Sequence, residues 1–379
     1  MKAVRHPEKK ALYAEAAAAF LWLLHRKYHF QKHLLFRPFS AYLLAERGRI
    51  FLRLLLFFSV LALIFVNGWT DAPNAIAGVV ATGSMPYRAA AWMAGACNLA
   101  GALLFCLLGG QVARTILNLA AFSQSGKSGF CALAGCFLSV VLFAAAAWFW
   151  GIPTSESHGL MAGMLGSSLA LNGESAVRWQ DWQPVLAGLF LSIGLGFLLG
   201  WSGYRLAGPV LRRLGEKRLS GWQKIGAAAC AAMHGGQDGQ KFAVMLGLVW
   251  SITAKVPPSA SRPDPIAAAL CAAAMGLGTL CGGRRIIQKT AVEMVQIDKS
   301  QGAAADLASA GALLVLSFMG LPVSTTHTKT AALAGCSAAR SSKSLRLPIA
   351  GQMLTAWLLT FPLCGLLAWL LTRLFLALA

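Results

Sequence analysis

The sequence predicts an all-α integral membrane bundle of two repeats with inverted topology and broken, re-entrant helices, for three reasons. Hydrophobic residues are 57% of the 379 and charged residues 12%, about half the charged share of a soluble domain. Uncharged runs near or above the ~20 residues that cross a bilayer core recur at Ala89–Ala113, Ser128–Ser155, Trp182–Tyr204, Pro265–Gly283, Leu307–Thr328 and Leu347–Thr372, with no sustained period-two alternation. Finally, Asp71 recurs as Asp238, an offset of 167, and GIPTSESHG at Gly151–Gly159 recurs as GLPVSTTHT at Gly320–Thr328, an offset of 169. Duplicated halves of this kind are a transporter architecture.

The first region, 1–49, carries ten Lys or Arg and four of the seven His. Its apolar stretch Ala11–Leu24 is 14 residues long and includes Glu15, short for a span and without the cleavage site of a signal peptide. A basic amphipathic helix lying on anionic lipid is expected. His25, His29 and His33 alternate with Arg26, Lys27 and Lys32, which reads as one basic face rather than a metal site. The net charge of +20 sits in short stretches beside apolar runs, the pattern of topology signals and not of nucleic-acid contact. Nine cysteines lie in apolar segments with no Cys-x-x-Cys pair, so they read as buried hydrophobes, and neither metal nor cofactor is expected. A compact chain without a transit peptide points to the plasma (inner) membrane, and transporter habit to a homodimer.

The first repeat, 50–205, reads as helical segments 50–67, 72–83, 89–113, 128–150, 154–171 and 184–205. Within it FVNGWTDAPNA, Phe65–Ala75, places the lone Asp71 between two apolar runs. A charge at membrane depth costs roughly +2.5 to +3.5 kcal/mol on insertion scales and marks function by default. Residues 206–222 form a basic loop, expected on the cytoplasmic side. That placement would start an inverted first repeat outside, against the basic N-terminal region, so the two topology signals oppose each other. The second repeat, 223–379, reads as 223–235, 240–254, 265–283, 304–319, 321–339 and 347–375. There AAMHGGQDGQKF sets Asp238 between two apolar runs, and interrupted helices in corresponding halves point to a binding site.

The PTSESHG and PVSTTHT stretches offer a different chemistry. Pro153 and Pro322 suit a first helical turn, and Ser155, Ser157, Ser324, Thr325 and Thr326 bring hydroxyls to it. Free N–H groups and hydroxyls at a helix N-terminus form an anion cradle; the bland alternative is a pair of ordinary capping turns. Two cradles facing each other would surround a tetrahedral oxyanion, with Asp71 and Asp238 accepting from its protonated oxygens or binding a coupling cation.

NGWTDAPNA, HGGQDGQK, GIPTSESHG and GLPVSTTH together resemble the inorganic phosphate transporter (Pit) family. Its signatures read approximately G-x-N-D-x-x-N-A and H-G-x-N-D-x-Q-K, with P-V-S-T-T-H in each half. The four motifs match in order, and the resemblance covers the chain from about Leu54 onward. It implies symport of phosphate with Na+ or H+ by alternating access at a site built from both repeats. By the same resemblance Asp71, Asn74, Ser155, Ser157, Asp238, Gln240, Ser324, Thr325 and Thr326 form the phosphate site. Asn67, His158, His234, Lys241 and His327 support it.

The departures fall on the coupling. Thr70 and Gln237 stand where the family has Asn before each Asp, and Glu156 stands where the second half has Thr325. Candidates for the coupling cation or proton are therefore Asp71, Asp238, Glu156, Thr70 and Gln237. Glu156 has two readings, a proton-titrating group or an ion pair with Lys329. His158 and His327 read as proton relays, or as neutral rings bonded to the facing helix or to the Asp of their own repeat. Lys241 is expected to hold Asp238 ionised. Sulfate is the alternative substrate, although it cannot donate to a carboxylate as a protonated phosphate does. A lipid phosphatase is the alternative from the enzyme class. No Arg lies in either hydroxyl motif or either Asp motif to clamp a phosphoryl group, and so no enzyme is expected.

Overall fold

The computed structural model describes residues 37–108, 110–119, 126–152, 154–254, 265–281, 287, 297–341 and 347–378. The expected interfacial helix with His25, His29 and His33, and the placement of Pro153, lie outside them. The described residues hold twelve α-helices and no strand. Those of the first half are α1 (Arg37–Thr70), α2 (Pro73–Ala81), α3 (Tyr87–Leu108), α4 (Gln111–Leu119), α5 (Gly126–Phe149), α6 (Glu156–Asn172) and α7 (Trp179–Arg213). Those of the second are α8 (Glu216–Ala254), α9 (Pro265–Cys281), α10 (Lys299–Phe318), α11 (Thr325–Arg340) and α12 (Leu347–Leu378). Six helical stretches among them are long and apolar enough to cross a membrane: this is a multi-pass helical membrane protein. Met1–Leu55 and Leu56–Ala379 form two compact units; of the first, the described part is the start of α1, and the packing below belongs to the second.

The two Asp stretches fold differently. The helix stops at Thr70, because Pro73 has no N–H to continue it; Asp71 and Ala72 form a turn between α1 and α2. Around Asp238 the expected break is absent, and α8 runs unbroken for 39 residues. No proline interrupts it. Its glycines spend their helix-weakening tendency, about 1 kcal/mol each, on close packing: a Cβ on Gly235 would come 2.1 Å from the Asn98 carbonyl oxygen. The expected loop 206–222 is also helical, since α7 runs to Arg213 and α8 begins at Glu216, with only Leu214 and Gly215 between. The single segment expected over 89–113 divides into α3 and α4.

The glycines of GIP and GLP have the same task. Gly151 and Gly320 adopt φ 67° and 72°, the left-handed region that favours glycine. Ile152 N–H donates to Ala147 O at 2.9 Å and Leu321 N–H to Leu316 O at 3.0 Å, closing a Schellman turn at the end of α5 and of α10. The chain then enters α6 and α11, of 17 and 16 residues. At 1.5 Å per residue these are ~25 Å long, shorter than the ~30 Å bilayer core. Pro322 stands before the cap residue Ser324, not in the first turn.

The halves are interleaved. Helix α6 packs on α5 of its own half and α12 of the other, while α11 packs on α10 of its own half and α7 of the other. Close approaches recur at the repeat offsets. A Cβ on Gly68 would lie 2.1 Å from Met275 O, matching Gly235 on Asn98; one on Gly166 would lie 2.0 Å from Gly365 O and one on Gly335 2.2 Å from Phe197 O. Each contact joins opposite halves, and each would be blocked by a single methyl group.

Candidate functional site

The break after α1, the middle of α8 and the first turns of α6 and α11 meet at one place, where Asp71, Asp238, Glu156 and Lys241 are all buried. Ser155 and Ser324 cap α6 and α11: their hydroxyls accept the N–H of His158 at 3.3 Å and of His327 at 3.1 Å. The ordinary capping reading therefore holds for these two serines. Capping turns the following side chains inward, and those reach the carboxylates.

Each of the two aspartates is gripped by the hydroxyl helix of the opposite half. Asp71 accepts from Thr326 Oγ1, from Thr325 Oγ1 at 3.2 Å and from Asn74 Nδ2 at 3.3 Å. Asn74 also donates to Thr326 Oγ1 at 2.9 Å. Asp238 accepts from Ser157 Oγ at 3.1 Å and from Asn67 Nδ2 at 2.9 Å, both of the first half. Lys241, one turn along α8, donates from Nζ to Asp238 Oδ1 at 2.7 Å, to Ser157 Oγ at 2.7 Å and to Val323 O at 2.6 Å. All three ammonium protons have acceptors, and Lys241 is the counter-charge expected for Asp238.

Thr70 Oγ1 lies 2.5 Å from Glu156 Oε1 and 2.7 Å from Val66 O. Glu156 is not paired with Lys329, because Lys329 Nζ meets Asp306 of α10 instead. One turn into α11, the lysine has rotated towards α10 and away from the junction with α6.

Two glutamines do not join the carboxylates. Gln240 turns back to Gly236 O at 3.0 Å along its own helix, as residues two apart on a helix do not share a face. Gln237 donates to Ser317 Oγ at 3.1 Å and Leu321 O at 3.2 Å, tying α8 to the end of α10. The histidines also differ from expectation. His158 and His327 stack edge-to-face at 4.4 Å, with Trp357 3.9 Å from His327 and Phe361 5.4 Å from His158. Their ring nitrogens have no hydrogen-bond partner among the described residues, so neither ring bonds the Asp of its own repeat.

His234 Nδ1 pairs with Asn98 Oδ1 at 2.6 Å, and its Nε2 lies 3.4 Å from Asp238 Oδ2. Asp71, His234 and Asp238 each offer a ligand atom within 4.8 Å of the others, the group in the site best suited to a cation. Sequence reasoning missed Asn98; its signal was a lone amide in the otherwise apolar run of α3, a side chain that seeks a partner across helices.

Buried carboxylates held across two interleaved halves of a multi-pass helical bundle are what a membrane transporter's site calls for. The model of the Phosphate transporter family matches residues 67–216 and 210–368, and the chain belongs to that family. It is 31% identical over 323 residues to a "Probable low-affinity inorganic phosphate transporter" of Mycobacterium bovis, covering 84% of this chain and 76% of the relative. It is 30% identical over 320 residues to a protein of the same description from Bacillus subtilis, covering 83% and 95%. In fold it resembles the solved structure titled "The sodium-dependent phosphate transporter", with a TM-score of 0.75 at 18% identity, over 86% of this chain and 100% of that one. These relatives are named as transporters and not as enzymes.

Proposed function

We propose that this chain moves inorganic phosphate across the plasma membrane by cation symport, with the two repeats, related by inverted topology, alternating access to one site. The observation that carries the reading is the crossed grip. Thr325 and Thr326 of the second half hold Asp71, while Ser157 and Asn67 of the first hold Asp238. A ligand that competes for these hydroxyls bears on both halves at once, which is what a rocking motion of one repeat against the other requires. Phosphate suits the donor set because its P–O oxygens accept from hydroxyls and its P–OH groups donate to carboxylates.

The distribution of charge supports a coupling at Asp71 and Glu156. Asp238 is offset by Lys241, whereas Asp71 is met by hydroxyls and an amide alone, and Glu156 by Thr70. Positive charge must accompany the anion there. One such charge is a proton on Glu156: the Thr70 hydroxyl has one hydrogen and two oxygens within reach. Val66 O only accepts, so both contacts are satisfied when Glu156 is the acid that donates. Asp71, His234 and Asp238 would take a second cation.

The test is uptake of labelled phosphate into vesicles of the purified protein, with H+ and Na+ gradients imposed separately and sulfate as competitor. Uptake driven by the proton gradient supports the reading. Uptake driven by Na+ alone removes the proton from Glu156, and transport of sulfate without phosphate would replace the substrate.

A further inference from the structure

A second buried polar cluster lies one helical turn from the principal site. Three helices lead to it. On α11 Lys329 follows Thr325 and Thr326 by a turn, on α2 Gly78 follows Asn74 by a turn, and on α8 Cys230 precedes His234 by a turn. Lys329 Nζ pairs with Asp306 of α10, with exposures of 2% and 0%. The ammonium has three protons, and among the described residues no hydrogen-bond acceptor besides this ion-pair partner takes them; both Asp306 oxygens likewise receive no hydrogen bond there beyond the ion pair. Gln223 points to the same place. Its Oε1 accepts from Thr82 at 2.9 Å and Ser84 at 2.5 Å, but its buried Nε2 has no partner among the described residues. Gly78 marks the convergence: a Cβ there would lie 3.5 Å from Asp306 Oδ1 and 3.7 Å from Gln223 Nε2.

The first half has nothing of the kind. At the offset of 169, Asp306 corresponds to Phe137 and Lys329 to Leu160, both fully buried in an apolar cluster. Replacing a buried ion pair by apolar groups of similar volume is often neutral or stabilising, and the fold itself shows that an apolar pair fits the position. Stability therefore does not account for the ions.

We infer that Lys329, Gln223 and Asp306 form a second phosphate station on the route between the principal site and the end of the bundle marked by Ser84. Lys329 and the Gln223 amide donate to the unprotonated oxygens of the anion, and Asp306 accepts from a P–OH. The station thus reads the proton on the substrate: sulfate, which at neutral pH has none to give, meets the Asp306 carboxylate as a like charge. This inference rests on the phosphate reading above.

The experiment uses the full chain in phosphatidylethanolamine–phosphatidylglycerol vesicles, with labelled phosphate and labelled sulfate. Three proteins are compared: wild type, Asp306→Asn, and the double variant Asp306→Leu with Lys329→Met. In Asp306→Asn the phosphate-over-sulfate ratio is expected to fall about tenfold or more, since the amide removes the like charge that sulfate meets and can itself donate to a sulfate oxygen. The double variant is expected to melt at or above the wild-type temperature, to keep equilibrium phosphate binding at the principal site, and to lose at least about tenfold in uptake rate. Wild-type uptake by the folded double variant overturns the station, as does an unchanged ratio in Asp306→Asn. Should the double variant fail to fold, the ratio in Asp306→Asn decides alone. Absence of phosphate uptake by the wild type would remove the phosphate reading, and the station with it, before any variant is compared.

Discussion

Asp71 lies where a helix stops, and Asp238 lies in the middle of one that continues. Around Asp71 are Thr325, Thr326 and Asn74, all neutral; around Asp238 are Ser157 and Asn67 with the ammonium of Lys241. Asn74 and Lys241 occupy the same place in the repeat, at the offset of 167. One duplicated scaffold thus carries a neutral partner on one side and a charged one on the other. The difference teaches that symmetry of fold does not imply symmetry of charge. Asp238 of the second half has an ammonium beside it, while Asp71 and Glu156 of the first hydrogen-bond only to hydroxyls and an amide among the described residues.

The largest expected effect comes from exchanging those partners. Lys241→Met leaves Asp238 buried without its counter-charge, a loss of about 3–5 kcal/mol, whereas Asn74→Leu removes neutral hydrogen bonds at about 1–3 kcal/mol. Thermal melting in detergent would show the first variant far less stable than the second; equal losses would mean that the halves are alike in charge after all. Next, Gly68→Ala and Gly235→Ala press a methyl into equivalent backbone contacts, each costing about 1–3 kcal/mol. If their melting temperatures fall by different amounts, the recurrence of the contact is geometric only.

Glu156→Gln sharpens the contrast in coupling. Its fold should be retained, since an amide can still donate to Thr70. Phosphate uptake should lose its dependence on the proton gradient, and a variant with wild-type pH dependence would remove the proton role. A smaller effect is expected from His158→Leu combined with His327→Leu, because the two rings pack on each other and on Trp357 without hydrogen bonds from their nitrogens. Uptake should keep its pH profile, and a flattened profile would restore the relay.

The smallest effect lies at the start of α8. Lys299 of α10 hydrogen-bonds Glu216 and holds its carboxyl below the usual range. A depressed carboxylate contributes stability above its ordinary value and loses it as pH falls through the depressed one. Because Glu216 is exposed, Glu216→Gln should melt with the wild type at neutral pH within error. Any difference should vanish on acidification. A large neutral-pH loss would show that this exposed pair does more than the screened surface contact it is.

Much of the site was legible before the fold. The lone carboxylates in apolar runs named Asp71 and Asp238, the HGGQDGQK stretch put Lys241 beside Asp238, and the paired Pro-Ser/Thr-His stretches named the two helix starts. Glu156 was singled out with two readings, and the one that paired it with Lys329 fails, because the rotation of α11 about its axis sends Lys329 to Asp306. The break at Asp238 was over-read. Glycines weaken a helix locally in any context, but whether they interrupt it depends on a neighbouring backbone that uses the space, and α3 supplies one. Asp306 stood at the edge of the uncharged run Leu307–Thr328 and drew no notice, because a carboxylate at a run boundary looks like a topology marker.

By itself the sequence determined the membrane class, the duplication and the chemical types at the site. These follow from composition, from local spacing and from the cost of burying charge, which act wherever the chain happens to pack. Only the tertiary structure decided that each aspartate is held by the other half's hydroxyl helix. The residues joined, Asp71 with Thr326 and Asp238 with Ser157, lie far apart along the chain and have no local interaction to pair them. Their partnership is set by which helix backbones approach closely enough, at glycines such as Gly68, Gly235, Gly166 and Gly335, to bring the two halves together.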